Sequence, residues 1–108
     1  MARGISLHVG LDRVDPKHYD GWNGQLLACE FDAHDFARLA QSAKFETRTL
    51  LTARAKSAAF INSITRAANQ LKSGDLFLLT YSGHGGQVPD RNGDEKDGLD
   101  ETWVPFTV

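Results

Sequence analysis

The sequence is poor in several residue types that would assign a protein to a class. It has one cysteine, three prolines and one methionine in 108 residues. A lone cysteine cannot form an internal disulfide, which suits a reducing compartment, and we expect a cytoplasmic protein. The formal net charge of −2 gives no reason to expect nucleic acid or an anionic membrane as a partner. His8 and Gly10 interrupt the first apolar run, so no signal peptide is predicted.

What is present is the composition of an ordinary globular domain. Hydrophobic residues make up 41% of the chain and charged residues 24%. A chain of this length predicts one domain, spanning residues 1–108, and no repeats or low-complexity segments divide it.

Hydrophobic periodicity predicts three strands and two helices. Period-2 alternation marks strands at "GISLHVGL" (4–11) and "FETRTLL" (45–51). Thr52 is a predicted N-cap for the second helix, and Ser73-Gly74 a predicted stop after it. The four consecutive apolar residues of "DLFLLTYS" (75–82) predict a central strand covered on both faces. The predicted apolar stripes are Phe31, Phe36, Leu39, Ala40 and Ala43 on a helix over 30–43, and Ala59, Phe60, Ile64, Ala67, Ala68 and Leu71 on a helix over 52–71.

The order β-α-β-α-β predicts an α/β fold. Strands joined by helical crossovers form a parallel sheet with right-handed connections, and helices cover both of its faces. We therefore expect a three-layer α-β-α sandwich. The segment from Asp12 to Gly24 is rich in Asp, Gly and Pro and predicts a long ordered loop.

His84 is the first candidate for chemistry. It follows the third predicted strand within "SGHGG", and ligand sites of parallel sheets lie beyond the carboxyl ends of the strands. Gly83, Gly85 and Gly86 would let the backbone turn and a substrate approach the imidazole. Histidine suits proton transfer near neutral pH, and the alternative is that His84 caps a turn. The other histidines, His8, His18 and His34, do not cluster with it in sequence, and we expect His8 and His34 to be solvated.

The acidic segment "DRNGDEKDGLDE" (90–101) is the second candidate. Its oxygens predict a calcium site, although Glu95 stands where an EF-hand needs glycine, and a solvated turn is the alternative. A metal-dependent hydrolase using His84 with Asp90 and Asp94 is a weaker hypothesis. The candidate ligands are Asp90, Asn92, Asp94, Asp97, Asp100 and Glu101.

Two segments together resemble a known family. "LTYSGHGGQVPDRNGDEKDGLDETW" and "VGLDRVDPKHYDGWNGQLLACEFDAHDFARLA" are similar to the histidine segment and the N-terminal part of caspase-like cysteine peptidases of the C14 type, in their bacterial, metacaspase-like group. The resemblance implies a caspase-like fold and an endopeptidase with a Cys–His dyad. His84 would be its general base and acid, and backbone N–H groups near Gly85 would hold the oxyanion.

The resemblance also implies a substrate preference. Asp32 matches the residue that lines the pocket for the side chain before the cleaved bond, and would favour Arg or Lys there. Favourable electrostatics at a helix N-terminus are the alternative role for Asp32. Cys29 matches a second pocket position rather than the nucleophile, and could equally be a small buried residue. No cofactor is required, and stimulation by calcium stays open.

In the family the catalytic cysteine follows on a later strand, whereas this sequence reads "VPFTV" after "DETW". We therefore expect the histidine-containing half of a caspase-like domain, truncated after the third strand and acidic loop and inactive alone. A split enzyme and a catalytically inactive interaction or calcium-binding module are the alternatives. The third strand would then be an exposed sheet edge, which predicts self-association or a second chain as partner, besides a polypeptide substrate.

Overall fold

The computed structural model describes residues 2–89 and 99–108. Its elements follow the predicted β-α-β-α-β order and add a hairpin after His84. They are β1 (Gly4–Gly10), α1 (Cys29–Ser42), β2 (Glu46–Leu51), a one-turn 3-10 helix (Thr52–Arg54), α2 (Ser57–Gln70), β3 (Leu76–Ser82), β4 (Gly85–Pro89) and β5 (Leu99–Trp103).

The first three strands form a parallel sheet in the order β2-β1-β3. At its carboxyl edge Gly10 lies beside Leu51 on one side and Ser82 on the other. Among the described residues β1 is the strand with a neighbour on each side, so β3 does not hold the central position predicted for it there and instead lies at the expected sheet edge. Leu78 on β3 is 39% exposed, and β3 is an edge of this sheet within the described part of the chain. β4 and β5 pair antiparallel as a separate ribbon.

The helices lie on opposite faces of this sheet, which confirms the three-layer arrangement. Leu7 and Val9 of β1 pack in one buried cluster with Phe60 of α2. The alternate residue Gly10 lies under α1, where an added Cβ would come within 2.3 Å of the Cys29 carbonyl oxygen. Glycine at this position therefore lets α1 approach the sheet closely.

The packing face of α1 differs from the predicted stripe. Its buried residues are Cys29, Ala33, Ala37 and Ala40, whereas Phe31, Phe36 and Leu39 are 69%, 45% and 67% exposed. The buried set recurs at helical spacing, so the helical period is confirmed, but Ala40 is the one residue of the predicted stripe that is buried among the described residues. Small side chains occupy this face because the helix axis lies so close to β1.

The start of the second helix also differs from the prediction. Thr52 is not an N-cap, because α2 begins at Ser57 with Lys56 before it. Thr52 instead opens the 3-10 turn with a φ of 41° and donates its hydroxyl to the Glu30 carboxylate. α2 ends at Gln70, and only Phe60 and Ala67 of the predicted stripe are buried within it.

The segment 12–24 is an ordered loop, as predicted. Val14 is buried, and its N–H donates to the Asn23 carbonyl at 2.7 Å. Residues 104–108 pack against this loop rather than along β3. Phe106 makes two of these contacts: its carbonyl accepts from the Asp15 N–H at 3.1 Å, and its N–H donates to the Ala55 carbonyl at 2.8 Å.

None of the helices within the described ranges has the length and apolar character needed to cross a membrane.

Candidate active site

The candidate site lies at the carboxyl edge of the parallel sheet, where the sequence predicted it. His84 follows β3 by two residues, Asp32 stands in the first turn of α1, and the loop 12–24 borders both. His84 is partly buried, so its side chain is neither enclosed in the core nor fully exposed.

The imidazole of His84 is oriented by a backbone carbonyl. Its Nε2 lies 2.9 Å from the carbonyl oxygen of Gly24, which is sixty positions away in sequence. A carbonyl only accepts hydrogen bonds, so Nε2 carries the ring proton in this arrangement and Nδ1 holds the free lone pair. A tertiary contact of this kind is not what a local turn cap would make.

Gly24 and Trp22 form the wall behind His84. Gly24 has a φ of +55°, and an added Cβ would lie 2.9 Å from the Trp22 ring and 3.2 Å from Cδ2 of His84. The Trp22 and His84 rings lie 4.9 Å apart at an angle of 56°. Tyr19 meets Trp22 edge-on, and its hydroxyl donates to the Pro105 carbonyl at 2.6 Å. Sequence reasoning missed Trp22 and Gly24, although the aromatic residues of a long loop were a signal.

The backbone of His84 is fixed by Tyr81. The Tyr81 hydroxyl donates to the His84 carbonyl at 2.6 Å, and the Tyr81 ring stacks on Trp103 with centroids 4.5 Å apart. Burial raises the pKa of Tyr81, so the phenol remains a protonated donor over a wide pH range. The chain beyond the hairpin adds a second bond, from the Val104 N–H to the same carbonyl at 3.2 Å.

The glycines around His84 serve different purposes from the expected one. None of the three adopts a left-handed φ, so the sharp turn expected there is not what requires them. A Cβ on Gly83 would lie 2.7 Å from the Tyr81 hydroxyl, which makes Gly83 a packing requirement. Gly85 is exposed, and a Cβ there would make an ordinary van der Waals contact 3.6 Å from the Thr102 carbonyl oxygen, so neither a left-handed φ nor a collision requires glycine at this position.

Asp32 is joined to the end of β3. The Ser82 hydroxyl donates to Oδ2 of Asp32 at 2.7 Å, in a partly buried position. Ser82 was not singled out from the sequence, yet it is the strand residue that meets the predicted pocket carboxylate. Asp32 also lies in the first turn of α1, where a negative charge is favourable, so both roles considered for it are compatible with its position.

Cys29 and the start of α1 are held by Asp12. The Asp12 carboxylate accepts from the backbone N–H of Cys29 at 2.8 Å and of Glu30 at 3.2 Å. Asp12 therefore caps α1 from the loop after β1. Cys29 itself is buried, which agrees with a small packed residue more than with an open pocket lining. The capping role of Asp12 could not be recognised from sequence, since the two partners are seventeen residues apart.

His8 contradicts the expectation that it is solvated. It is fully buried beneath α1, with Nδ1 2.7 Å from the Thr80 hydroxyl and Nε2 2.8 Å from the Ser6 hydroxyl. Burial lowers the pKa of His8, which favours the neutral ring. His34 is exposed, as expected, and His18 is also exposed, with its Nε2 accepting from the Val108 N–H.

The calcium prediction falls on residues 90–98 and on two strand residues. Asp90, Asn92, Asp94 and Asp97 lie outside the described residues, and Asp100 and Glu101 belong to β5 without a description of their side chains. The calcium site therefore stays a prediction. Among the side chains that the structure describes, no three of His, Cys, Asp or Glu lie close enough together to hold a metal ion.

Comparisons with known proteins agree with this architecture. The caspase domain family, peptidase C14, matches residues 14–108. Metacaspase-1 of Cryptococcus neoformans is 36% identical over 99 residues, covering 82% of this chain and 22% of that protein. Metacaspase-1 of Coccidioides immitis is 33% identical over 98 residues, covering 82% and 21%.

A solved structure is also similar, that of protein GSU0716 from Geobacter sulfurreducens. It superposes with a TM-score of 0.89 at 54% identity, over 97% of this chain and 40% of that one. The chain thus spans about a fifth of the length of the curated relatives and two fifths of the solved neighbour.

Proposed function

Because the chain belongs to the caspase domain family, we propose that it supplies the histidine-bearing part of a cysteine endopeptidase active site. One observation carries the proposal. The 2.9 Å contact of His84 Nε2 with the Gly24 carbonyl leaves Nδ1 as the basic nitrogen at the accessible carboxyl edge of the sheet. A cysteine peptidase needs a base held in this way, with its tautomer fixed by the opposite nitrogen.

In the proposed reaction Nδ1 of His84 removes the proton of a cysteine thiol. The thiolate adds to the carbonyl carbon of the scissile bond, and the imidazolium then gives its proton to the leaving amine nitrogen, forming an acyl-enzyme. Water, deprotonated by the same imidazole, releases the acyl group and restores the thiol. The Gly85 N–H is the proposed donor to the oxyanion, since Gly85 is exposed and follows His84 directly.

The nucleophile of this reaction is proposed to lie outside the 108 residues. Cys29 is the one cysteine of the sequence, and it is buried at the start of α1 with its N–H bonded to Asp12. No hydrogen bond joins Cys29 to His84 in the part of the chain that the structure describes. The thiol would come from a longer form of the same polypeptide or from a second chain.

The edge of β3 is the proposed contact surface for that thiol-bearing polypeptide. Leu76, Phe77 and Leu78 are 63%, 37% and 39% exposed, and the outer backbone groups of β3 pair with no other described strand. An added strand would bury these side chains and satisfy the strand edge, and would bring its carboxyl end next to His84.

We also propose a preference for Arg or Lys before the cleaved bond. The Asp32 carboxylate is the acidic group that the fold brings to this edge beside Ser82, and the 2.7 Å bond from Ser82 holds it in one orientation. A carboxylate fixed in this way can pair with a substrate guanidinium or ammonium group.

Complementation tests the proposal. The chain would be co-expressed with the part of the Geobacter sulfurreducens protein that lies beyond the aligned region, and the assembly isolated by size-exclusion chromatography. We expect cleavage of peptides with Arg or Lys before the scissile bond, abolished by His84→Ala and retained in His34→Ala, the exposed histidine of α1. If the isolated assembly cleaves these peptides equally well with His84→Ala, the proposal is ruled out.

The acidic segment supports a second candidate, a calcium-binding module. Its oxygen-bearing residues at positions 90, 92, 94 and 101 follow the spacing of a calcium loop. Titration calorimetry with calcium chloride is the test. Heat of binding that disappears in Asp90→Asn/Asp94→Asn would support the site, and the absence of heat would leave a solvated turn.

A further inference from the structure

A groove lies at the amino-terminal end of the sheet, opposite the carboxyl end that carries His84. It has a volume of about 260 Å³ and runs between α2 and the first residues of the strands. Ile5 and Leu7 of β1 and Ala67 of α2 lie at its bottom and are already buried, and Phe77 of β3 also lines it. Ile5 and Phe77 are each the second residue of their strand, so the groove opens towards the amino-terminal end of the sheet, whereas His84 lies beyond the carboxyl end.

The polar lining of the groove carries an excess of positive charge. Arg3 is neutralised by Glu46, with Nε 2.6 Å from the carboxylate. Arg48 and Arg66 also line the groove, and neither forms an ion pair with any residue that the structure describes. The chain as a whole has a formal charge of −2, so the positive charge of Arg48 and Arg66 is specific to this groove and not typical of the whole surface.

The outer backbone of β2 runs along the same groove. β2 is the terminal strand of the described sheet, so its outward N–H and C=O groups have no strand partner there. In the parallel register Glu46 is level with Ile5 and Arg48 with Leu7. Residues that are paired in the register lie on the same face of the sheet. Leu7 packs against Phe60 of α2, so Arg48 also lies on the α2 face of the sheet, at its outer strand.

We propose that this groove binds an acidic peptide segment, which adds as an extended strand beside β2. Its backbone would pair with the free edge, and every second side chain would face α2. An acidic side chain at one such position would pair with Arg48 or Arg66, which are both exposed. The segment recognised thus has acidic residues in alternation with residues of any kind.

Two peptides with the same amino-acid composition and different residue order test this arrangement on the 108-residue chain. The probe Ac-Thr-Glu-Thr-Thr-Thr-Glu-Thr-amide places both Glu residues on one face of a strand. The comparison peptide Ac-Thr-Glu-Thr-Thr-Glu-Thr-Thr-amide places them on opposite faces. We expect calorimetry to give the probe an affinity at least about fivefold higher, with binding that weakens as salt is added.

The double variant Arg48→Gln/Arg66→Gln should lower the affinity for the probe by about tenfold or more, because it removes both free guanidinium groups. Arg38→Gln is the matched control, since Arg38 is exposed on α1 and pairs with Asp35. Circular dichroism melting establishes that each variant is folded. Equal affinities for the two peptides, or an unaltered affinity in the folded double variant, would overturn the proposal. Displacement of the probe by equimolar inorganic phosphate would also overturn it, since the groove would then bind any small anion.

Discussion

The hydroxyl of Ser82 donates a 2.7 Å hydrogen bond to the carboxylate of Asp32. Ser82 is the last residue of β3, two positions before His84, and Asp32 is in the first turn of α1. The bond therefore links the strand that carries the candidate base to the helix that carries the candidate specificity carboxylate. A displacement of either element would change the position of both groups.

Asp32→Asn should reduce cleavage of Arg substrates in the complemented enzyme. Loss of a charge-assisted pair corresponds to about 1–3 kcal/mol, so kcat/KM should fall by about 5–150-fold. Kinetics with matched Arg and Gln peptides measure the effect, which should be confined to the Arg peptide. Asp35→Asn, three residues along the same helix, is the control. An unchanged preference for Arg over Gln would exclude Asp32 as the specificity residue.

Ser82→Ala should weaken the same preference less than Asp32→Asn, because it removes the orienting hydroxyl and keeps the charge. We expect a decrease in kcat/KM of about tenfold for the Arg peptide. Ser42→Ala is the control, since among the described residues the Ser42 hydroxyl donates to the local Leu39 carbonyl at the end of α1, away from the site. An effect of Ser82→Ala that is equal for Arg and Gln peptides would indicate a general structural role.

Gly24→Ala should displace the His84 ring. Gly24 and Gly21 both have positive φ, at +55° and +88°, so alanine at either position should cost about 1–2 kcal/mol of folding free energy. Only Gly24 has neighbours that a Cβ would strike, whereas Gly21 has nothing within 4 Å. Comparison of the two variants by NMR separates backbone strain from the collision. The His84 imidazole resonances should shift in Gly24→Ala and not in Gly21→Ala, and equal spectra would contradict the geometry.

Asp12→Ala should destabilise the chain by about 1–2 kcal/mol, as expected for loss of a helix cap. Its carboxylate accepts from two N–H groups at the start of α1, which would be left without that partner. Urea denaturation measures the change. Asp35→Ala removes an exposed ion pair with Arg38 and should cost less than about 0.5 kcal/mol. Equal effects of the two substitutions would exclude Asp12 as the cap.

Lowering the pH should destabilise the fold through His8. Burial holds the pKa of the folded His8 below its ordinary value of 6.5, so below that pH the unfolded chain binds the proton first. The unfolding free energy therefore decreases as the pH falls from 6.5 towards the lower folded pKa. Above pH 6.5 the stability that the neutral, buried His8 ring contributes is fully present. Urea denaturation between about pH 7.5 and about 5.5 should show this slope, reduced in His8→Gln and retained in His34→Gln. An identical slope in His8→Gln would show that other groups cause it.

Local patterns in the sequence determined the element order and hence the fold class. Alternation at 4–11, helical spacing at 30–43 and the turn residues between elements each depend on a few neighbours in the chain. The position of His84 beyond a strand also follows from this order, because parallel strands end at one edge of the sheet. The motif around it was specific enough to indicate the family that the comparisons then showed.

The tertiary structure decided which strand is central, which helix face is buried and which groups orient His84. His8 was predicted to be solvated because its position in the alternation is polar, yet α1 covers that face of β1. Asp12, Trp22, Gly24 and Ser82 gain their roles from partners far along the chain. Hydrophobic periodicity reports the geometry of one segment at a time, and a contact between distant segments depends on how the layers pack against each other. A sequence read locally contains no signal for such a contact.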